Sequence, residues 1–279
     1  MVSLLSTSKS AKAKDTAVMT RLALVVEYEG SQYNGFQLQV GVPTVQGRLE
    51  EALEKVTGER IRILGASRTD TGVHAKGQVV SFKTASQLPS HTFTRAMNYY
   101  LPSDISVRAT HKVPDGFNAR RSALRRRYRY TILNDEASSP LLRSFVYWLA
   151  KPLDISAMSE AVRLLEGERD FASFSGPTSY PRSSTMRRIY RAELAKRINL
   201  IMLDVEANSF LPQQIRRTVG ALVQIGTGKM SLRAFRELLD CCRLGAADAV
   251  LPAQGLCLMS ITYPGFSSGN EACHEDLYR

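Results

Sequence analysis

The chain has 279 residues, of which 44% are hydrophobic, with a mean hydropathy of −0.17. That composition can bury a core and excludes a disordered chain, and no apolar run approaches the ~18 residues a spanning helix needs. Lys and Arg number 37 against 26 Asp and Glu, so the formal net charge of +11 makes RNA or DNA plausible partners, with an acidic membrane surface as a further polyanion.

Residues 1–20 place Lys9, Lys12 and Lys14 among Ser, Ala and Thr without the apolar stretch of a secretory signal. They read as a disordered leader; a short organellar transit peptide is the other reading, with Met19 an alternative start. Arg21–Tyr28 is β-branched and aliphatic, a buried strand. The loop EGSQYNGFQLQ follows. Thr44 then caps a helix with Val45, Leu49, Ala52, Leu53 and Val56 at helical spacing, closed by Gly58. Arg60–Leu64 and Gln78–Lys83 read as strands around the loop Gly65–Gly77. Ser90 caps a helix stopped by Pro102, and Ile105–Val113 is the last strand of this half.

The second half repeats the order. Leu124–Leu133 is a strand, and Asp154 caps a helix closed by Gly167. Arg188–Lys196 and Leu200–Ala207 form a hairpin turning at Ile198-Asn199. Helices follow at Gln213–Ile225 and Ser231–Cys242, then a strand at Leu256–Tyr263. Both halves read β-α-β-β-α-β, the order of ferredoxin-like and RNA-recognition folds. The expected fold class is therefore α+β: two such halves, residues 21–118 and 119–264, with antiparallel sheets joined into one extended sheet and helices on one face, and a tail at 265–279. The face without helices then becomes a broad basic surface.

Within the loop Gly65–Gly77, Arg68, Asp70 and His74 crowd a short connection. A carboxylate beside an arginine stays ionised, and loops on a rigid sheet are where catalytic groups tend to sit. Asp-Thr-Gly is also ordinary Asx-turn chemistry, and spacing alone favours that reading. Asp70-Thr71-Gly72 spells the aspartic-protease tripeptide too, but such a dyad needs an uncharged setting and a second copy, and the chain has Arg68 beside it and no second copy.

In Leu124–Ile132, alternation puts Leu124, Arg126, Tyr128, Tyr130 and Ile132 on one face and Arg125, Arg127 and Arg129 on the other. The second set is a row of guanidiniums suited to phosphates. Tyr130 reads as core, whereas Tyr128 is balanced between core and a stacking platform for an unpaired base. Arg216 shares a helical face with Gly220 and Val223, looks inward, and needs an anion: Asp70, or equally Asp204 or Glu206. The four His and four Cys lack metal-site spacing, so no metal is expected. Gly226-Thr-Gly-Lys229 lacks the phosphate-loop pattern and reads as a helix-ending turn.

GASRTDTGVH (Gly65–His74), with Gly77-Gln-Val79 after it, resembles the signature loop of the tRNA pseudouridine synthase A family. The similarity extends to YEGSQYNGFQ (Tyr28–Gln37), TVQGRLEEAL (Thr44–Leu53), FNARRSA (Phe117–Ala123), RRRYRY (Arg125–Tyr130), DFASF (Asp170–Phe174), the Phe210…Arg216…Val219-Gly220 spacing and PAQGLCL (Pro252–Leu258). It departs at Thr71, where alanine is common, at Phe36 for tryptophan, at Pro212-Gln-Gln214 and at Cys257. The resemblance implies an isomerase that converts uridine to pseudouridine at positions 38 to 40 of the tRNA anticodon stem-loop. It implies Asp70 as the catalytic aspartate, acting at C6, at C1′ or on the 2′ proton. It also implies Tyr128 against the target base, Arg216 paired with the aspartate, and Arg68 on the RNA during flipping. The remaining expectations are no cofactor, a cytoplasmic homodimer with one tRNA across both subunits, and no membrane. The rival class is a non-catalytic RNA-binding module on the same basic sheet, which gains nothing from a carboxylate in its groove.

Overall fold

The computed structural model describes residues 18–176 and 184–269. Residues 1–17 of the expected leader and 270–279 of the expected tail, with Cys273 and His274, lie outside the described residues. The first half runs β1 (Thr20–Tyr28), α1 (Val45–Thr57), β2 (Leu64–Gly65), β3 (His74–Thr84), α2 (Ser90–Tyr100) and β4 (Ile105–Lys112). Thr44 starts α1 by accepting from the Gly47 N–H, and Gly58 ends it in the left-handed region at φ 72°, where an L side chain is strained. α2 corrects the expected cap: Ser90 is its first helical residue, and Pro89 stands at the cap position without a side-chain bond.

The expected strand at residues 60–64 shortens to Leu64–Gly65. Ile63 is tied to α1 instead, its N–H donating to Glu50 (3.1 Å) and its carbonyl accepting from Gln46 (3.4 Å). Conversely, the expected loop ends earlier, because His74 and Ala75 already pair with Cys257 and Leu258. That ladder lies far away in the chain, so local sequence does not show it.

The second half runs β5 (Arg125–Asn134), β6 (Tyr147–Leu149), α3 (Ile155–Arg163), β7 (Gly167–Asp170), β8 (Met186–Arg197), β9 (Leu200–Ala207), α4 (Gln214–Gly226), α5 (Leu232–Asp240), β10 (Leu256–Tyr263) and β11 (Phe266–Ser267). Asp154 and Ser231 cap α3 and α5 through their side chains. Ile198, at φ 54°, makes the β8–β9 turn. α3 ends at Leu164 and not at Gly167, whose φ of 102° starts β7. The short strands β6, β7 and β11 carry no period long enough to announce them.

All these strands join one sheet, in the order β4-β1-β3-β10-β5-β9-β8-β7, with β2 on β3, β6 on β5 and β11 on β10. Leaving aside the short strands β6, β7 and β11, each half has four strands in the order fourth, first, third, second: β4-β1-β3-β2, then β10-β5-β9-β8. The halves meet where β10 runs parallel to the start of β3, while β2 takes the later part of the same edge at Ser81. Residues 66–73 therefore emerge at the seam. The helices pack on one face, Phe93 of α2 meeting Phe82 of β3 at 6.0 Å between ring centroids. One core runs across both halves, with Phe93, Tyr130, Phe171, Phe174 and Phe235 fully buried. Each such side chain contributes roughly 1.5–3 kcal/mol on leaving water.

Candidate active site

The loop at the seam is held from beneath by the segment after β1. Gly30 lies so close that an added Cβ would stand 2.1 Å from the Val73 carbonyl oxygen. Its N–H donates to His74 Nδ1 at 3.0 Å. Gly35 adopts φ 86° under the Thr69 carbonyl, which accepts from the Phe36 N–H (3.1 Å), and the Phe36 ring packs on Gly65. The Tyr28 hydroxyl meets Thr69 Oγ1 at 2.8 Å. Asp70 then opens a tight turn: its carbonyl accepts from the Val73 N–H at 3.1 Å, with Gly72 at φ 78°. The turn is thus real, yet the Asp70 carboxylate is not spent on it. Arg216 Nη1 reaches Asp70 Oδ2 at 3.4 Å, and Arg216 Nε donates to the Leu251 carbonyl at 2.7 Å, which aims the guanidinium.

The alternative anions for Arg216 are engaged elsewhere. In register, Asp204 stands opposite Arg129 and Glu206 opposite Arg127, on the face of β5 away from Tyr128. There Arg125 pairs with Glu206 (2.9 Å), and Arg127 and Arg129 both pair with Asp204 (3.1 and 2.9 Å). The row expected to hold phosphates is therefore matched by carboxylates of the neighbouring strand. The cleft beside Asp70 lies on the other face of β5, the one Tyr128 occupies.

On that face a cleft of about 560 Å³ is lined by Asp70, Tyr128 and the Phe210–Ile215 approach to α4, with Arg68, Arg120, Arg126 and Arg187 around it. Asp70 and Arg68 also border a second, open hollow with Asn34, Gln37, Gln213 and Arg216. Arg68 is exposed. Tyr128 is 6% exposed; its ring meets the Phe210 edge at 5.2 Å and its hydroxyl lies 2.7 Å from Ser67 Oγ. Burial, eased by the Ser67 hydrogen bond, pushes its phenol up to about 12, so it is a neutral phenol at physiological pH. Tyr130 is core, its hydroxyl donating to the Pro252 carbonyl.

The fold thus brings Asp70, Tyr128 and Arg216 together from three separate segments and leaves Arg68 at the rim. Sequence reasoning missed Ser67, Gln78 and Phe210 as individual contributors. Their side chains gain meaning only from contacts across the seam, though all three stand within the segments singled out for resemblance. Among the described residues, no group of three or more His, Cys, Asp or Glu side chains is placed to hold a metal ion, and no helix is long and apolar enough to cross a membrane.

An aspartate in contact with a guanidinium, beside an aromatic ring in a cleft bordered by arginines, can act on a base taken out of its stack. The family model for tRNA pseudouridine synthase matches residues 24–120 and 161–264. The chain is 40% identical over 262 residues to tRNA pseudouridine synthase A of Blochmanniella pennsylvanica, covering 93% of this chain and 99% of that protein. It is 42% identical over 253 residues to the protein of the same name from Neisseria gonorrhoeae, covering 90% of this chain and 95% of the other. Among solved structures, a chain of a Cbf5-Nop10-Gar1 complex superposes with a TM-score of 0.36 at 11% identity, covering 72% of this chain and 45% of that one.

Proposed function

The chain belongs to the tRNA pseudouridine synthase family, a family of isomerases acting on tRNA, and we propose that it converts uridine to pseudouridine in the anticodon stem-loop, at positions 38 to 40, with Asp70 as the catalytic residue. The observation that carries this reading is the Asp70–Arg216 pair beside the Tyr128 ring in a basic cleft. The target uridine leaves the stack and enters the cleft, whose volume of about 560 Å³ is in the range that encloses a small ligand. Unstacking costs a few kcal/mol, which phosphate contacts at the cleft's arginines offset.

In the cleft, Tyr128 lies against the uracil and Arg216 holds the Asp70 carboxylate in place. The N1–C1′ bond breaks, the uracil rotates while held, C5 bonds to C1′, and the C5 proton is exchanged for one on N1. The reaction is redox-neutral and isomeric, so it calls for no cofactor. Arg68, exposed at the rim and bordering both hollows, contacts the RNA as the nucleotide flips. The active form is a cytoplasmic homodimer that lays one tRNA across both subunits, in keeping with the net charge of +11.

The test is position-by-position mapping of pseudouridine in tRNA after incubation with the purified protein. Conversion confined to positions 38 to 40 is expected. Conversion at other positions would overturn the site assignment, and tight binding without conversion would leave only an RNA-binding module.

A further inference from the structure

We infer that Ser67 is a positioning residue for Tyr128, held in place by the buried Gln78, so that a polar relay from the first half of the chain sets the tyrosine supplied by the second. The inference rests on the reading that Tyr128 meets the target base. Ser67 Oγ lies 2.7 Å from the Tyr128 hydroxyl. Ser67 itself is gripped at both backbone polar groups by one side chain: Gln78 Oε1 accepts from its N–H at 3.1 Å, and Gln78 Nε2 donates to its carbonyl at 2.8 Å.

Gln78 is 0% exposed. Its Oε1 also accepts from the Val79 N–H at 3.2 Å, and its Nε2 lies 3.4 Å from the Tyr28 hydroxyl. That hydroxyl in turn bonds Thr69 Oγ1 at 2.8 Å. Residues 67 and 69 are thus pinned from β1 and β3, and the pinned run leads directly into Asp70. A fully satisfied buried amide is costly to disturb, because any partner it releases is left unpaired away from water. This gives the relay its stiffness.

The consequence falls on the ring. Phe210 meets Tyr128 edge-on at 5.2 Å and restrains one side, while the hydroxyl bond to Ser67 fixes the far end. A ring that must present itself squarely to a rotating uracil loses productive poses once its free end swings, which lowers turnover more than it lowers RNA affinity.

Steady-state kinetics on tRNA, with Ser67→Ala made in the wild-type and Tyr128→Phe backgrounds, tests this. In the wild type the change lowers kcat roughly 3- to 10-fold, the share one neutral hydrogen bond carries, with KM nearly constant. In Tyr128→Phe, which has no hydroxyl to hold, the same change costs nothing further. An equal penalty in both backgrounds would overturn the proposal, since it would mark a merely structural effect.

A second readout is independent of turnover. In protein labelled with 13C at the tyrosine ζ carbon, the Tyr128 resonance is assigned by its loss in Tyr128→Phe. It moves in Ser67→Ala and in Gln78→Glu, which keeps the size of glutamine but removes the donor to the Ser67 carbonyl. An unmoved resonance in Ser67→Ala would defeat the inference even if Gln78→Glu does not fold. Wild-type protein that forms no pseudouridine would count against the proposed function instead, and the resonance would then judge the Ser67 contact by itself.

Discussion

Asp70 and Arg216 are 146 positions apart in the chain and meet at 3.4 Å across the seam of the two halves. The contact exists because the start of β3 pairs with β10, which brings the loop of residues 66–73 beside the approach to α4. Replacing Asp70 with alanine should therefore remove the reaction without removing the binding surface. Pseudouridine formation is expected to fall on the order of 10³-fold or more. Affinity for tRNA should stay level or tighten, since a negative charge leaves a positive cleft. Gel-shift titration alongside the mapping assay checks both, and a variant that retains turnover would remove Asp70 from its role.

Arg216 performs two tasks with different atoms, which allows them to be separated. Nε holds the Leu251 carbonyl and Nη1 meets the carboxylate. Arg216→Lys keeps a cation near Asp70 but loses the fork, so a fraction of the turnover should survive. Arg216→Gln removes the cation, and turnover should fall much further. Both lose about 1 kcal/mol of stability with the Leu251 bond, measured by urea unfolding. Equal turnover in the two variants would mean that the charge beside Asp70 does not matter.

Arg68 stands at the rim, exposed and bordering two hollows, where a guanidinium can reach a phosphate. Arg68→Gln is expected to raise KM for tRNA several-fold with a smaller effect on kcat. The logarithmic salt slope of binding should shrink by about 0.7, the share of one phosphate contact on a single strand. An unchanged slope would place Arg68 off the RNA.

Much of this arrangement was legible in the sequence. The β-α-β-β-α-β order of both halves followed from apolar periodicity and from the caps Thr44 and Asp154, which the structure uses as expected. The inward aim of Arg216 followed from its helical face, but spacing could not choose between Asp70 and Asp204. That choice belongs to sheet register, which sets Asp204 against Arg129 on the far face. Register was also what hid the fate of Arg125, Arg127 and Arg129. A row of cations looks free until the neighbouring strand supplies Asp204 and Glu206. Ser67 was hidden for a related reason, because a serine beside an arginine says nothing until a tyrosine arrives from another strand.

Gly30 tests how tightly the loop of residues 66–73 is cradled. A Cβ there would meet the Val73 carbonyl oxygen at 2.1 Å and its carbon at 2.6 Å, backbone atoms with no rotamer to yield. Gly30→Ala should cost roughly 1–3 kcal/mol and displace the loop that carries Asp70, so turnover of the folded variant falls well beyond the stability loss. Gly116→Ala serves as control, because nothing lies within 4 Å of a Cβ there. If the two variants behave alike, the close approach at Gly30 is not what sets the loop.

His74 gives the same cradle a dependence on pH. The Gly30 N–H donates to Nδ1 at 3.0 Å, so that nitrogen is unprotonated, and the proton on Nε2 is donated to the Ser144 carbonyl at 2.7 Å. Burial holds the imidazole below its usual range; the Ser144 and Gln254 carbonyls and the Glu29 carboxylate oppose this without cancelling it. The unfolded chain binds a proton at this residue near pH ~6.5, before the folded chain does. Stability contributed by neutral His74 is therefore complete above that pH and drains away as pH falls toward the lowered folded value. Protonation of Nδ1 also breaks the bond to Gly30, so the loop loosens over the same range. Urea unfolding from pH 5 to 8 should show stability rising with pH and then levelling. His74→Gln, whose amide offers an acceptor and a donor but no titration, should flatten that rise. Parallel profiles for the two proteins would show that His74 does not carry it.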